Sequence, residues 1–179
     1  MKTHYGSVLC AALFLFTHVA RAGDSDLNIT CEKKKIENKS GSATEPATFG
    51  SAKSEQWRYA VTVENQGFKN LANLQVKYII FYKHEQLGIK GPPQKKTKSG
   101  TYSIPEIDSL GKTSFDTDSV TLTKASLVGP MGGYSYFTNG AKPTAADTLT
   151  GVWVRIYQNG ALLTEYTYPA DLASVETWQ

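Results

Sequence analysis

The sequence predicts an all-β domain of about seven antiparallel strands packed as a sandwich. Three observations carry that expectation. Apolar residues recur with a period of two, the spacing of a strand buried on one face, and no persuasive long stretch repeats with the helical period. Clusters of Gly, Pro, Asn and Ser separate the alternating runs at strand-like intervals. Asn159-Gly160 lies between two β-type runs, a combination that specifies a tight hairpin.

The first residues read as an export signal. Lys2 is followed by a mostly apolar run from Val8 to Ala20, and Ala20-Arg21-Ala22 offers small residues where a signal peptidase reads them. Residues 1–22 are therefore expected to be removed, leaving 23–179 as a single domain. The run is shorter than the roughly 20 apolar residues that cross a bilayer, and no second such run follows, so no membrane span is expected in the exported chain. Cys10 and Cys31 lack the setting of a lipid-anchored cysteine. The periplasm, cell surface or extracellular space is the expected location.

Removing Lys2 and Arg21 from 19 basic residues leaves 17 against 16 acidic ones, a net charge near +1. Nucleic-acid binders usually show a strong basic excess, so that class is set aside. Cys10 leaves with the signal, which makes Cys31 the sole cysteine and excludes an internal disulfide. Taking 22 from 179 residues leaves 157, enough for one hydrophobic core. Cys31 reads either as a small buried strand residue or as a reactive or intermolecular thiol.

The strands follow in order. Asp26–Ile36 places Leu27, Ile29 and Cys31 on one side, and Lys33-Lys34-Lys35 suggests a sheet edge protected by charge. Residues 39–54, rich in Ser, Thr, Ala and Gly, read as a long loop. In Gln56–Glu64, Trp57, Tyr59, Val61 and Val63 share the inner face. Leu74–Tyr82 begins by alternating and becomes apolar on both faces through Ile79, Ile80, Phe81 and Tyr82. That second half is either covered on both sides or presents a contact face. Residues 84–102 read as a second long loop, with Gly88, Gly91, Pro92, Pro93 and Gly100. Ile104–Ile107 is a short strand broken by Pro105, and Thr113–Thr123 is strand-like again. After a Gly-rich loop at Gly129–Gly133, Tyr134–Thr138 forms a short aromatic strand. Val152–Tyr157 and Leu162–Tyr168 form the hairpin, expected to pair Tyr157 with Leu162, Arg155 with Thr164 and Trp153 with Tyr166. Ala170–Glu176 has room for one short turn of helix. This count and turn spacing point to an immunoglobulin-like arrangement.

Two turns give this pattern a family likeness. Val63-Glu64-Asn65-Gln66-Gly67 closes one core strand before Ala72–Tyr78, and Ile107-Asp108-Ser109-Leu110-Gly111-Lys112-Thr113 leads into a later one. This resembles the cell-adhesion-related and fibronectin-III-like modules of bacterial exported proteins over roughly residues 55–125. Their second turn has two residues between Leu and Gly, whereas here Gly111 follows Leu110 directly. The tail from Leu149 to Pro169 is similar to small immunoglobulin-like exported proteins of gut bacteria, including one associated with a type IV pilus locus. Such likenesses imply adhesion, scaffolding or pilus-associated roles and bring no catalytic residue with them.

Searched for chemistry, the sequence offers isolated groups rather than a constellation. His84 alone of three histidines survives export, and a Ser-His-Asp site would need it as the base; at a strand end it also reads as an ordinary exposed histidine. One His and one Cys do not make a structural zinc site. Glu85, Glu106, Asp108, Asp116 and Asp118 have no spacing that marks a catalytic pair. Asp116-Thr117-Asp118 lacks the Gly and closing Glu of an EF-hand loop, and Gly129–Gly133 lacks the Lys-Ser/Thr of a phosphate loop. The Asn28 and Asn38 sequons matter only in a eukaryotic host.

Two features remain as partner contacts. Lys90, Lys95, Lys96 and Lys98 beside Pro92-Pro93 can meet an acidic protein face or glycan, or simply solvate a loop. Tyr134, Tyr136 and Phe137, with Trp153, Tyr157, Tyr166 and Tyr168 on the hairpin, can form a sugar platform or an interface anchor, or simply pack the core. The expected function is a non-enzymatic, cofactor-free exported module binding a protein or glycan at the cell surface, in adhesion or pilus-type assembly. A carbohydrate-binding accessory module and a secreted hydrolase on a sandwich scaffold are the alternatives.

Overall fold

A computed structural model describes residues 26–42, 50–127 and 144–178, the side chains of 37–42, 50–51 and 127 excepted. Nine strands and one helical turn are seen among these residues: β1 Leu27–Ser42, β2 Gly50–Asn65, β3 Leu71–His84, β4 Gln94–Ile107, β5 Lys112–Asp116, β6 Val120–Leu127, β7 Thr144–Ala146, β8 Thr148–Gln158, β9 Ala161–Tyr168 and α1 Leu172–Val175. One sheet runs β1-β2-β6-β7, with β5 also on β2; the other runs β4-β3-β8-β9, and every pairing is antiparallel. The chain passes between sheets after β2, β4 and β7, which is the immunoglobulin-like sandwich. The Gly129–Gly133 loop and the Tyr134–Thr138 strand lie outside the described residues.

The core follows from the alternation. Tyr59, Val61 and Val63 of β2 face Val76, Tyr78 and Ile80 of β3 and Val152, Val154 and Ile156 of β8, all buried. At roughly 25 cal/mol per Å² of apolar surface, such residues dominate the stability of the sandwich. The double-sided half of β3 is covered on both faces. Tyr78 and Ile80 enter the main core, whereas Ile79 and Phe81 join Trp153, Leu172 and Trp178 in a second cluster on the outer face. The C-terminal tail folds back to build that cluster. Gly151 permits its close approach, since a Cβ there would lie 2.5 Å from the Tyr168 carbonyl oxygen.

Four expectations are corrected. Most of the first long loop is strand: β1 continues to Ser42, β2 starts at Gly50, and the two pair through Ser42↔Ser51 while β6 bonds the other side of β2 up to Gly50↔Leu127. Backbone pairing on both sides holds β2 extended where its side chains give no apolar face. Likewise β4 begins at Gln94, so only residues 85–93 of the second loop connect strands. As an edge strand bonded, among the described residues, to β3 alone, β4 tolerates both its lysines and Pro105. The Thr113–Thr123 strand is two strands, interrupted where Thr117 Oγ1 accepts from Tyr59 N at 2.9 Å and Thr117 N donates to Tyr59 O at 2.9 Å. Finally, the hairpin begins as expected at Tyr157↔Leu162, but a bulge at Leu163 moves Arg155 opposite Glu165 and Trp153 opposite Thr167. The shift gives Glu165 two donors, Arg155 Nε at 3.0 Å and Trp153 Nε1 at 3.3 Å.

Asn159 and Gly160 take φ of 51° and 82°, the left-handed pair of a type I′ turn. No atom lies within 4 Å of a Cβ built on Gly160, so a substitution there meets only backbone strain. Gly160→Val is expected to lower unfolding free energy by about 1–3 kcal/mol, read from the urea midpoint. Binding to any partner should fall only with the folded fraction; loss of binding by a fully folded variant would make this turn a contact site.

Candidate functional site

The lysines proposed from sequence do not form one patch. Lys95 lies opposite Lys83 on the outer face, where its Nζ donates to Val175 O at 3.2 Å and pairs with Glu176 at 2.9 Å. It clamps the C-terminal tail. Lys98 lies opposite Ile80 on the inner side and donates to Ser119 O at 2.9 Å, tying the two sheets together. Lys96 and Lys90 are exposed, the latter in the 85–93 connection. Tyr134, Tyr136 and Phe137 fall outside the described residues.

The hairpin aromatics are not a flat platform. Trp153 is buried edge-to-face against Trp178, with centroids 5.7 Å apart and an interplanar angle of 77°. Tyr166 packs on the main core, and half-exposed Tyr168 meets Tyr59 at 6.4 Å, also edge-on. On the opposite flank, Tyr102 stacks flat on Phe115 at 4.4 Å and joins β4 to β5 across the sandwich.

The titratable candidates are bound into the frame. Asp147 is buried, and its Oδ1 accepts from Glu85 N at 3.1 Å and lies 2.8 Å from His84 Nδ1. Its Oδ2 accepts from Thr123 N at 2.9 Å, and its own N–H returns to Thr123 O. The carboxylate therefore joins β3 of one sheet to β6 of the other. No hydroxyl or thiol bonds to His84 among the described residues. Asp116 pairs with Arg58 at 2.8 Å, Asp118 accepts from the Tyr78 hydroxyl at 3.2 Å, and Glu106 accepts from Asn70 at 2.9 Å. Among the described residues no three His, Cys, Asp or Glu side chains cluster as metal ligands. Burial pushes the half-buried Cys31 thiol up to about 12, which keeps it protonated and weakly nucleophilic.

At the opposite end, the two family-like turns dock on each other. Asn65 is 1% exposed, and its Nδ2 donates to Lys69 O at 2.8 Å and Asp108 O at 3.0 Å while its Oδ1 accepts from Gly67 N at 3.0 Å. Its backbone N–H reaches Gly111 O, and Leu110 N reaches Gly67 O. This lattice holds two large apolar side chains in water: Phe68 is 87% exposed and Leu110 63% exposed at φ 56°, a conformation uncommon for a residue other than glycine. Beside Phe68 opens a hollow of about 400 Å³ lined chiefly by Leu27, Asn65, Gly67, Leu71 and Leu163. Sequence reasoning missed this site. Its one signal was Phe68 within Gln66-Gly67-Phe68-Lys69-Asn70, an aromatic where a turn calls for a polar residue.

No family model matches the chain, and no curated protein does. Solved structures that match include the X-ray structure of a Northeast Structural Genomics Consortium target, SoR45, at 10% identity and a TM-score of 0.36, covering 79% of this chain and 85% of that one. A crystal structure from Akkermansia muciniphila matches at 10% identity and a TM-score of 0.28, covering 79% and 70%. Among the described residues no helix is long and apolar enough to cross a membrane.

Proposed function

We propose that this chain is a non-catalytic exported module that binds a protein partner at the cell surface, in adhesion or pilus-type assembly. The observation that carries the reading is the pair of exposed apolar side chains, Phe68 and Leu110, on turns tied together by the buried Asn65 network, with Phe68 at the rim of a hollow. Large apolar groups presented to water on a fixed backbone are what interface anchors require, because docking removes their apolar surface from water without reorganising the turns. Export rests on the Val8–Ala20 run and the Ala20-Arg21-Ala22 site. The sandwich serves as frame, and its ends and edges serve as contacts.

The test is capture from envelope extracts of the source cells by immobilised wild type and by Phe68→Asp/Leu110→Asp. A protein held by the wild type and lost by the folded double variant is the expected result. Retention of every captured protein by the variant would overturn the assignment of this face, and a glycan array showing strong wild-type binding would replace protein with sugar as the partner.

A further inference from the structure

The sheet edges of this molecule are not equally defended. β1 carries Lys33, Lys34 and Lys35, all exposed, and Lys33 and Lys35 lie on the inward side over the Trp57 ring at 4.5 and 5.6 Å. β4 carries Lys95, Lys96 and Lys98 and contains Pro105. β5 and β7 are five and three residues long. Lysines, proline and brevity are the devices that stop an edge from recruiting another strand. β9 has no lysine, no proline and eight residues, and its one charge, Glu165, is drawn back to Arg155 and Trp153. Among the described residues its backbone bonds go to β8 alone, so no described backbone group pairs with its other side, and β1 meets it through side chains, Cys31 against Tyr166.

The bulge adds a second element. It takes Leu163 out of register and leaves Thr164–Tyr168 regularly paired. Leu163 lines the hollow with Leu27, the first residue of β1, Leu71, the first of β3, and Phe68, while Asp26 and Lys69 add one charge of each sign. The open edge and the hollow are therefore continuous along β9. A hollow of about 400 Å³ sits near the lower end of the roughly 300–1,000 Å³ usual for ligand pockets, and it suits one large apolar side chain.

We infer that β9 and this hollow form one groove for an extended segment of another protein, which adds to the sheet as a strand and seats an apolar side chain against Leu163. Main-chain bonds to β9 supply the docking, and the hollow supplies selectivity for an apolar residue at one position of the alternating segment. This deepens the protein-partner reading above and rests on it.

The experiment pans a phage-displayed library of random short peptides against the mature chain, then synthesises the recovered peptides with a fluorophore. Expected are uncharged sequences with alternating apolar residues, whose addition slows amide hydrogen exchange in residues 161–168 and leaves β4 unchanged. Leu163→Arg, checked for an unaltered unfolding midpoint, should weaken them by roughly tenfold or more, the effect of removing an interface anchor. If that variant unfolds early, the exchange footprint on wild type decides alone. Failure to recover peptides, protection on β4 or β1 instead, or protection of 161–168 that depends on protein concentration without peptide, the mark of a second copy in the groove, would overturn the inference. A captured envelope protein that depends on Phe68 and Leu110 would still stand, which separates the two failures.

Discussion

Asn65→Ala is expected to lower unfolding free energy by about 3–4 kcal/mol, near the top of the range for a single substitution. The side chain is buried and joins three chain positions: it donates to the carbonyls of Lys69 and Asp108 and accepts from Gly67 N. Alanine leaves those groups without a partner, and a buried orphan costs about 1–3 kcal/mol each. Asn65→Asp keeps the acceptor for Gly67 but directs a carboxylate at two carbonyl oxygens, so it should be no better. Urea unfolding of both variants checks this. A loss well under 1 kcal/mol for alanine would mean that the backbone bonds Asn65 N to Gly111 O and Leu110 N to Gly67 O hold the turns without it.

The second large effect is expected at Asp147. Asp147→Ala removes the acceptor of two backbone N–H groups, Glu85 and Thr123, and the partner of His84 Nδ1. Leaving buried donors unpaired at a seam between sheets should cost about 3 kcal/mol. Asp147→Asn should fall between, since the amide oxygen satisfies one side and the amide nitrogen opposes an N–H on the other. The discriminating measurement is a double-mutant cycle with His84→Ala. A coupling near that of an exposed ion pair, about 0–1 kcal/mol, together with a large Asp147→Ala loss would assign the stabilisation to the backbone donors. A small loss for Asp147→Ala would show that the seam closes without the carboxylate.

Elements with one buried face were legible in the sequence. Trp57 to Val63 alternates because one face of β2 meets the core, and the two-faced run at Ile79–Tyr82 correctly implied cover or contact on both sides. Lys33–Lys35 marked an edge, and Asn159-Gly160 marked a hairpin. Strands without a buried face were not legible. The first half of β4 is solvated on both faces, so it carries no apolar period and reads as loop. The bulge at Leu163 was hidden because a register shift changes pairings rather than composition. The candidate site was hardest to see. Its polar centre joins Asn65 to Asp108, and its apolar walls come from Leu27, Leu71 and Leu163, positions brought together only by the sandwich. Of the residues named from sequence as contacts, Lys95 and Lys98 reach carbonyls across the fold with their long stems, partners that lie far off in the chain.

The tail that folds over the outer face has an optical consequence. Of the chain's three tryptophans, two stand 5.7 Å apart at 77°, and the Arg155 guanidinium lies 4.3 Å from the Trp178 ring. Indoles that close couple their transition dipoles, so the pair imprints a circular-dichroism couplet that vanishes when Trp178 lifts away. Trp57, on the other sheet beneath two lysines, emits independently of that event. The couplet therefore reports the tail while the strand ellipticity reports the sheets, and a peeling tail is distinguishable from a melting sandwich without any added label.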